Sequence, residues 1–408
     1  MSDYTHVDVY AVQSSKKPGM PCGDMLATVR TNTGTTIICA DGIGSGIRAH
    51  IAAQMCVSRL SESLRHDLSL RTVFTSVAAV MQTYRDPKKP FAAFSIARIR
   101  SDGYATVFSY DAPLPILVSR QGATILANRP VPLPGGLAME SHCQLDRGEG
   151  ILLMSDGITQ SGLGYGANTE WTSEGVVRFI DSQISAKVKF SLAAEMLHRE
   201  ALARWRGEIG NSGRQPERGQ VSPMLPRRPA SKVTGDDCSI ILGLCRTGQT
   251  VNILTGPPAD RDNDMPTVKR FLALPGLKIV CGGTTAKLAA KYLNVPLEME
   301  SEPMSVIAPP RYGIRGINLV TEGAVTLNQV YNILDEDIAK LNEDSGVTEL
   351  RLLLGVADKL NFIVGAADNS ANTDISFRQR GVLSRKVLIP LLADKLRQDG
   401  KLVNVEFV

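Results

Sequence analysis

The sequence predicts an α/β protein with two domains, a sandwich of sheets with helices on its outer faces and then a doubly wound α/β domain. The chain has 408 residues, and domains usually hold roughly 100–200 residues, which favours two of them. Hydrophobic residues make up 43% and charged residues 21%, values typical of a folded protein. The order of strand and helix patterns distinguishes the two halves.

The first half contains pairs of helix patterns between runs of strand patterns. Alternating or continuous apolar residues predict strands, at 7–12, 27–30, 36–40, 91–99, 103–109, 114–118, 123–127, 141–145, 150–155 and 238–244. Helical spacing of apolar residues predicts helices, at 47–65, 70–84, 174–184 and 190–204. In 47–65 the residues expected on the buried face are Ile51, Ala52, Met55, Cys56, Leu60 and Leu64. This order suits a sheet sandwich covered by helices.

The second half alternates strands and helices regularly. Strands are predicted at 251–254, 278–281, 316–320, 361–364 and 402–407, and helices at 265–273, 285–293, 327–341 and 384–398. Alternation of this kind predicts a parallel, doubly wound sheet. We therefore expect a first domain at 1–246 and a second at 250–408, with Pro390 opening or kinking its helix.

A basic segment lies near the end of the first domain. Residues 204–232 are rich in Gly, Pro, Ser and Gln and carry seven Lys or Arg against Glu208 and Glu217. This composition predicts a flexible insertion, and a basic patch for a partner is the alternative.

Composition and charge exclude several classes of protein. A net charge of +4 is too balanced to indicate a nucleic-acid partner. No apolar run approaches the roughly 18–20 residues that span a bilayer, and the N-terminus does not resemble a signal peptide. Seven scattered cysteines favour free thiols in a reducing compartment. We expect a cytoplasmic protein without a membrane partner, and the oligomeric state is left open.

Three acidic sites share one layout in the first domain. Asp41-Gly42 and Asp156-Gly157 follow apolar strands, and Asp236-Asp237 opens one. Carboxylates that converge at a sheet rim repel each other unless a cation binds, and oxygen ligands favour Mg²⁺ or Mn²⁺. Two such ions about 3.5–4 Å apart can orient a bridging hydroxide for attack on phosphorus. Asp-Gly at a strand end is also a common turn, and Asp102-Gly103 is interpreted as a hairpin turn.

These residues resemble a known family. The segment A-D-G-I-G-S-G at 40–46 is similar to the D-G-[MI]-G-[SG]-G motif of PPM-type phosphatases, the protein phosphatase 2C superfamily, in the branch of stage II sporulation protein E (SpoIIE). Four further elements follow the family's order: C-G-D at 22–24, P-L-P-G-G-L at 132–137, G-E-G-I-L-L-M-S-D-G-I at 148–158 and G-D-D-C-S at 235–239.

The resemblance implies an αββα sandwich and a bacterial signalling enzyme that hydrolyses phosphoserine or phosphothreonine on a protein with two Mn²⁺ or Mg²⁺ ions. Asp41 would bridge the ions, the Gly42 carbonyl would bind one, and Asp156 and Asp236 would complete the second site. Asp24 would act through water. The catalytic residues are then Asp41, Asp156 and Asp236.

The chain departs from the family at two places. It has Asp111-Ala112-Pro113 where the family often has a Gly-His-Pro-like element, and the basic insertion is unusually long. Two alternatives stay open: a sensor or binding protein with an inactive phosphatase-like scaffold, and a phosphatase of a small phosphorylated ligand. A complete set of Asp41, Asp156 and Asp236 argues against the scaffold.

Small polar loops follow the predicted strands of the second domain. Ligands of parallel sheets bind at the carboxyl ends of strands, and a Gly-rich loop that leads into a helix can hold an anion. We expect a small anionic ligand at Gly282, Gly283, Thr284, Thr285 and Glu322. The alternative is that these residues serve only as caps and turns.

Overall fold

The computed structural model describes residues 4–44, 46–66, 68–83, 91–133, 136–163, 170–208, 235–301, 311–337, 345–367 and 382–408. The chain divides into two compact units, Thr5–Arg246 and Thr247–Val408, and the second unit also includes Tyr4. No helix of the described ranges is both long and apolar enough to cross a membrane. All seven cysteines are free thiols.

The first unit contains eleven labelled strands and five labelled helices in its described residues. The strands are β1 (Thr5–Ser14), β2 (Asp24–Thr31), β3 (Gly34–Gly42), β4 (Ala92–Arg100), β5 (Tyr104–Tyr110), β6 (Ile116–Ser119), β7 (Gly122–Ile125), β8 (Arg129–Leu133), β9 (Gly136–Gln144), β10 (Gly150–Met154) and β11 (Cys238–Thr247). The helices are α1 (Ile47–Arg65), α2 (Leu70–Thr83), α3 (Asp156–Thr159), α4 (Thr172–Ser185) and α5 (Ala193–Trp205).

These elements form four layers. One antiparallel sheet has the order β2-β3-β4-β5-β9-β8, and the other has the order β1-β11-β10-β6-β7. Helices α1 and α2 bury their apolar faces on the first sheet, α4 and α5 cover the second, and a third apolar cluster fills the space between the sheets. The αββα sandwich is confirmed.

The second unit is built on one seven-stranded sheet. Its strands are β12 (Thr250–Thr255), β13 (Leu277–Cys281), β14 (Glu298–Ser301), β15 (Arg311–Gly313), β16 (Leu319–Thr321), β17 (Lys359–Val364) and β18 (Leu402–Phe407). Its helices are α6 (Asp264–Ala273), α7 (Gly283–Leu293), α8 (Ala324–Asn332), α9 (Gly346–Val356) and α10 (Arg385–Gln398).

The order of this sheet is β14-β15-β16-β13-β12-β17-β18, parallel from β16 to β18 and antiparallel at β14 and β15. Helices α6 and α7 pack on one face, whereas α8, α9 and α10 pack on the other. The sheet is therefore doubly wound.

Several predicted elements differ from the structure. The helix predicted at 327–341 is present but begins earlier and ends at Asn332, and residues 338–341 lie outside the described residues. The prediction missed α9. The prediction also missed β8, which carries two prolines and lies at a sheet edge, where a missing N–H costs no ladder hydrogen bond. Pro390 lies inside α10, on its exposed side. Most of the basic insertion lies outside the described residues, which end at 208 and resume at 235.

The buried face of α1 also differs from the prediction. Ile51 and Met55 are exposed, and the buried positions are Ala49, Ala52, Ala53, Cys56, Val57, Leu60, Ser61 and Leu64. The alanines at the start of this face allow the helix to approach the sheet closely, and the larger side chains of Ile51 and Met55 lie on the other side of the helix. The hairpin at Asp102-Gly103 is confirmed, with Gly103 at φ 85°.

Candidate active site

The predicted acidic residues of the first domain lie at one rim of the sandwich, contributed by both sheets. Asp24 opens β2 and stands directly opposite Asp41 near the end of β3. In the other sheet β10 ends and β11 begins at the same rim, and the amide of Ser155 donates to the Ser239 carbonyl at 3.0 Å. Asp156 and Asp236 flank these strands and so reach the rim from the second sheet.

Asp237 joins the two sheets at this rim. Its Oδ1 accepts a hydrogen bond from the amide of Lys16 at 2.7 Å, and its Oδ2 accepts one from the amide of Gly23 at 3.0 Å. The residue is 8% exposed. Asp237 therefore holds the segment before β2 against the start of β11.

Two glycines allow the backbones at the rim to approach each other. A Cβ atom on Gly42 would collide with the carbonyl oxygen of Ala49, and one on Gly157 would collide with the carbonyl oxygen of Asp237. The Asp-Gly pairs at 41–42 and 156–157 therefore need glycine for packing.

The carboxylates at the rim are buried or half-buried, and Asp41 is repelled by its neighbours. Asp24 is 1% exposed, and neither of its carboxylate oxygens has a hydrogen-bond partner in the described part of the chain. Burial raises the pKa of Asp24 to about 6. Burial, together with the charges of Asp24 and Asp156, raises the pKa of Asp41 to about 10. Burial also raises the pKa of Asp156.

The site contains a cation that the sequence analysis missed. The Nζ atom of Lys16 lies 3.4 Å from Oδ1 of Asp236, and a cavity of about 340 Å³ beside it is lined by Lys16, Lys17, Arg48 and Asp237 among others. A pair of lysines before the early Gly-Asp element was the available signal. It was weak because Lys16 and Asp236 are 220 residues apart.

The donor set at this rim fits a divalent cation. All the donors are oxygens, and the buried carboxylate of Asp24 lacks a partner, as expected of groups that a hard cation satisfies. Among the described residues no three acidic, histidine or cysteine side chains form a ready coordination sphere. Water would therefore complete the shell, as magnesium sites commonly require. The predicted contact of the Gly42 carbonyl stays a prediction.

The residues predicted to bind a ligand in the second domain also lie together. Gly282 connects β13 to α7, whose first turn contains Gly283, Thr284 and Thr285, and Glu322 follows the neighbouring strand β16.

Part of the first domain is similar to a known family. Residues 31–208 match the family model of stage II sporulation protein E (SpoIIE). This segment contains Asp41 and Asp156, whereas Asp24 and Asp236 lie outside it. No curated protein matches the sequence.

Three solved structures are similar to the chain. The RsbU and RsbW domains of Rv1364c from Mycobacterium tuberculosis are 15% identical, with 67% of this chain and 71% of that one covered and a TM-score of 0.45. The phosphatase domain of SpoIIE from Bacillus subtilis is 14% identical, with coverage of 60% and 95% and a TM-score of 0.42. RsbX in complex with magnesium is 15% identical, with coverage of 59% and 96% and a TM-score of 0.38. At these identities none of the three identifies a substrate or a metal for this chain.

Proposed function

We propose that this protein, whose first domain is a PPM-type phosphatase domain of the SpoIIE family, removes phosphate from phosphoserine and phosphothreonine of a protein with the help of divalent metal ions. The observation that carries the proposal is the rim where Asp24, Asp41, Asp156 and Asp236 meet. Four carboxylates contributed by two sheets cost folding free energy if they serve only the fold. A catalytic cation site accounts for them.

The metal ligands are proposed residue by residue. Asp41 would lie between two Mn²⁺ or Mg²⁺ ions, with the Gly42 carbonyl on one and Asp156 and Asp236 on the other, and Asp24 would act through water. When bound, such ions stabilise negative charge on a phosphoryl group and lower the pKa of water. The protein brings these carboxylates together at the rim and orients them.

Basic residues beside the rim suit a phosphate group. The cavity that contains Lys16, Lys17 and Arg48 borders Asp237, so a phosphate dianion would be attracted to the edge of the acidic cluster. Lys16 is placed to hold a phosphate oxygen because its ammonium group already lies beside Asp236. Asp237 fixes the backbone of Lys16 and thereby its position.

An exposed apolar surface beside this cavity favours a protein substrate. Ile47, Ile51 and Met55 are 61%, 46% and 44% exposed, and their spacing places them on one side of α1. Ile47 also lines the cavity. Exposed apolar side chains in a row commonly mark a surface that binds protein. A small phosphoester would have no use for the distal part of this row.

Phosphate release from phosphoserine-containing casein tests the proposal. With Mn²⁺ we expect turnover by the wild type and none by Asp41→Asn, since Asn keeps the size of the side chain but not its charge. The matched control is Asp102→Asn, at an Asp-Gly pair in the hairpin between β4 and β5, and it should keep full activity. Turnover of p-nitrophenyl phosphate without turnover of any phosphoprotein would contradict the protein substrate. Equal activity of all three chains would contradict the assigned site.

A further inference from the structure

The sheet of the second domain has two places where adjacent parallel strands send their helices to opposite faces. Strands β12 and β13 are followed by α6 and α7 on one face, and β16 and β17 are followed by α8 and α10 on the other. The neighbouring pairs β12–β17 and β13–β16 therefore each leave a crevice at the carboxyl ends of the strands. Such crevices are where open α/β sheets bind ligands.

The crevice between β12 and β17 is closed by the chain itself. A Cβ atom on Gly365 would collide with the carbonyl oxygens of Pro257 and Gly256, and one on Gly256 would collide with the guanidinium group of Arg385. Arg385 also donates a hydrogen bond to the carbonyl of Ala367 at 3.2 Å. Backbone and side-chain atoms thus occupy the space that a ligand would need.

The crevice between β13 and β16 has a floor of glycine backbone and is open above it. A Cβ atom on Gly323 would lie 3.3 Å from the Cα of Gly282, so the two loops touch. Gly282 has a φ of 125°, and its amide donates to the Thr321 carbonyl at 2.9 Å. In contrast, a Cβ atom on Gly283 would meet no atom of the described residues within 4 Å.

Two helices begin at this crevice. The N-cap residue of α7 is Gly282 and that of α8 is Gly323, and neither helix is capped by a side chain of the described residues. The amides of both first turns therefore lack a side-chain acceptor, and the positive ends of two helix dipoles flank one space.

Buried polar atoms around this crevice also lack partners. Thr285 and Thr326, each three residues after its glycine N-cap, are 1% and 0% exposed, and neither hydroxyl has a hydrogen-bond partner in the described ranges. The Thr285 hydroxyl lies 3.4 Å from the position of a Cβ on Gly282 and so faces the crevice floor. Glu322, in the loop between β16 and α8, has one buried carboxylate oxygen that is likewise unpartnered there. Buried polar groups normally find partners.

We propose that this crevice binds a small phosphate monoester that carries free hydroxyl groups. The phosphate accepts hydrogen bonds from the amides of the first turns of α7 and α8 and from the Thr285 hydroxyl. Glu322 accepts a hydrogen bond from a ligand hydroxyl. This contact favours a hydroxyl-bearing monoester over inorganic phosphate, which has no second group to reach Glu322 while its oxygens lie at the helix amides. The second domain is then a receptor for a phosphorylated metabolite, a function separate from the phosphatase chemistry.

Residue-resolved binding to the full chain in EDTA tests the inference, with ribose 5-phosphate and inorganic phosphate as probes. EDTA removes divalent metal from the first domain, so the readout does not depend on phosphatase activity. We expect saturable NMR shifts of the Gly283, Thr284 and Ala324 amides with both probes. Ribose 5-phosphate should bind about tenfold more tightly, the effect of a hydrogen bond to a charged group.

Two substitutions of one residue provide the matched comparison. Gly283→Pro removes one amide donor at the first helical position, where proline is tolerated, and should weaken both probes at least about tenfold. Gly283→Ala keeps the amide and should bind as the wild type does. Glu322→Ala should abolish the preference for ribose 5-phosphate, whereas Glu336→Ala, an exposed residue of the same domain, should not. No saturable shift at these amides, or equal binding by the Pro and Ala variants, would overturn the proposal.

Discussion

Within the described residues, both domains leave buried polar groups without partners where their strands end, but the two sites differ in charge and in packing. The rim of the first domain gathers carboxylates around Asp24 and Asp41, whose pKa values are raised by burial and by the charges of neighbouring carboxylates. The crevice of the second domain gathers hydroxyls and helix amides around Gly282 and Gly323. The comparison teaches that the chemistry of the unpartnered groups indicates the charge of the ligand that would bind. Carboxylates at the first rim indicate a cation, and amides and hydroxyls at the second indicate an anion.

Removing one carboxylate from the acidic rim should have the largest effect. We expect Asp41→Asn to lower kcat on p-nitrophenyl phosphate by at least about 10³-fold, because a lost ion removes several kcal/mol of transition-state stabilisation. The same substitution should raise the melting temperature of the metal-free protein, since it relieves repulsion with Asp24 and Asp156. Calorimetric unfolding in EDTA checks the second result, and a lower melting temperature would contradict the repulsion argument.

Replacing one glycine at each rim with alanine should distinguish a tightly packed position from an open one. Gly42→Ala should cost about 3 kcal/mol of unfolding free energy or more, because its Cβ meets the backbone of α1. Gly283→Ala should stabilise the second domain by about 0.4–1 kcal/mol, since the Cβ enters open space and the unfolded chain loses freedom. Urea unfolding of both variants measures the difference, and similar costs for the two would remove this contrast.

The acidic rim should also make the stability of the metal-free protein depend on pH. A carboxyl group whose pKa is raised in the fold destabilises the fold above its unfolded pKa of about 4, fully so once pH exceeds the folded value. Lowering pH from about 8 to 5 in EDTA should therefore restore roughly 1–1.5 kcal/mol through Asp24, whose folded pKa is about 6.

Thermal unfolding of the wild type and of Asp24→Asn across this pH range isolates that contribution. The difference in stability between the two proteins should shrink as pH falls. Saturating Mn²⁺ should weaken this effect, because metal and protons compete for the carboxylates. A difference that stays constant with pH would show that Asp24 is not titrating in the folded protein as its burial implies.

The apolar row on α1 should give the smallest effect. Ile51→Gln should raise the KM for a phosphoprotein about three- to tenfold, equivalent to roughly 1 kcal/mol of binding, and leave p-nitrophenyl phosphate hydrolysis unchanged. Leu391→Gln, an exposed leucine on α10 of the second domain, is the matched control. A rise in KM for both substrates would indicate damage to the active site instead.

The sequence predicted the acidic rim well because its signals are local. Each Asp-Gly pair adjoins an apolar strand, and antiparallel pairing then places strand ends side by side, as Asp24 and Asp41 show. Strand β8 was missed because its prolines oppose a strand unless it lies at an edge, and the edge position is a property of the whole sheet.

Features that depend on distant contacts could not be predicted. Lys16 reaches Asp236 across 220 residues of sequence, and no local pattern records that approach. The exposure of Ile51 and Met55 depends on which side of α1 packs on the sheet. Helical periodicity alone does not decide this, because apolar residues occur on both sides of the helix. In the second domain the sequence predicted a ligand site at the residues that lie around the crevice. It did not predict that α7 and α8 pack on opposite faces of the sheet, which is the arrangement that forms the crevice.

Manganese binding measured by calorimetry, together with p-nitrophenyl phosphate hydrolysis on the same samples, tests the central claim most directly. The wild type and Asp102→Asn should bind Mn²⁺ and turn over substrate only in its presence. Asp156→Asn should lose turnover and at least part of the metal binding while its melting temperature in EDTA stays the same or rises. A wild type that binds no Mn²⁺ and shows no hydrolysis would contradict the account and leave the acidic rim without a function.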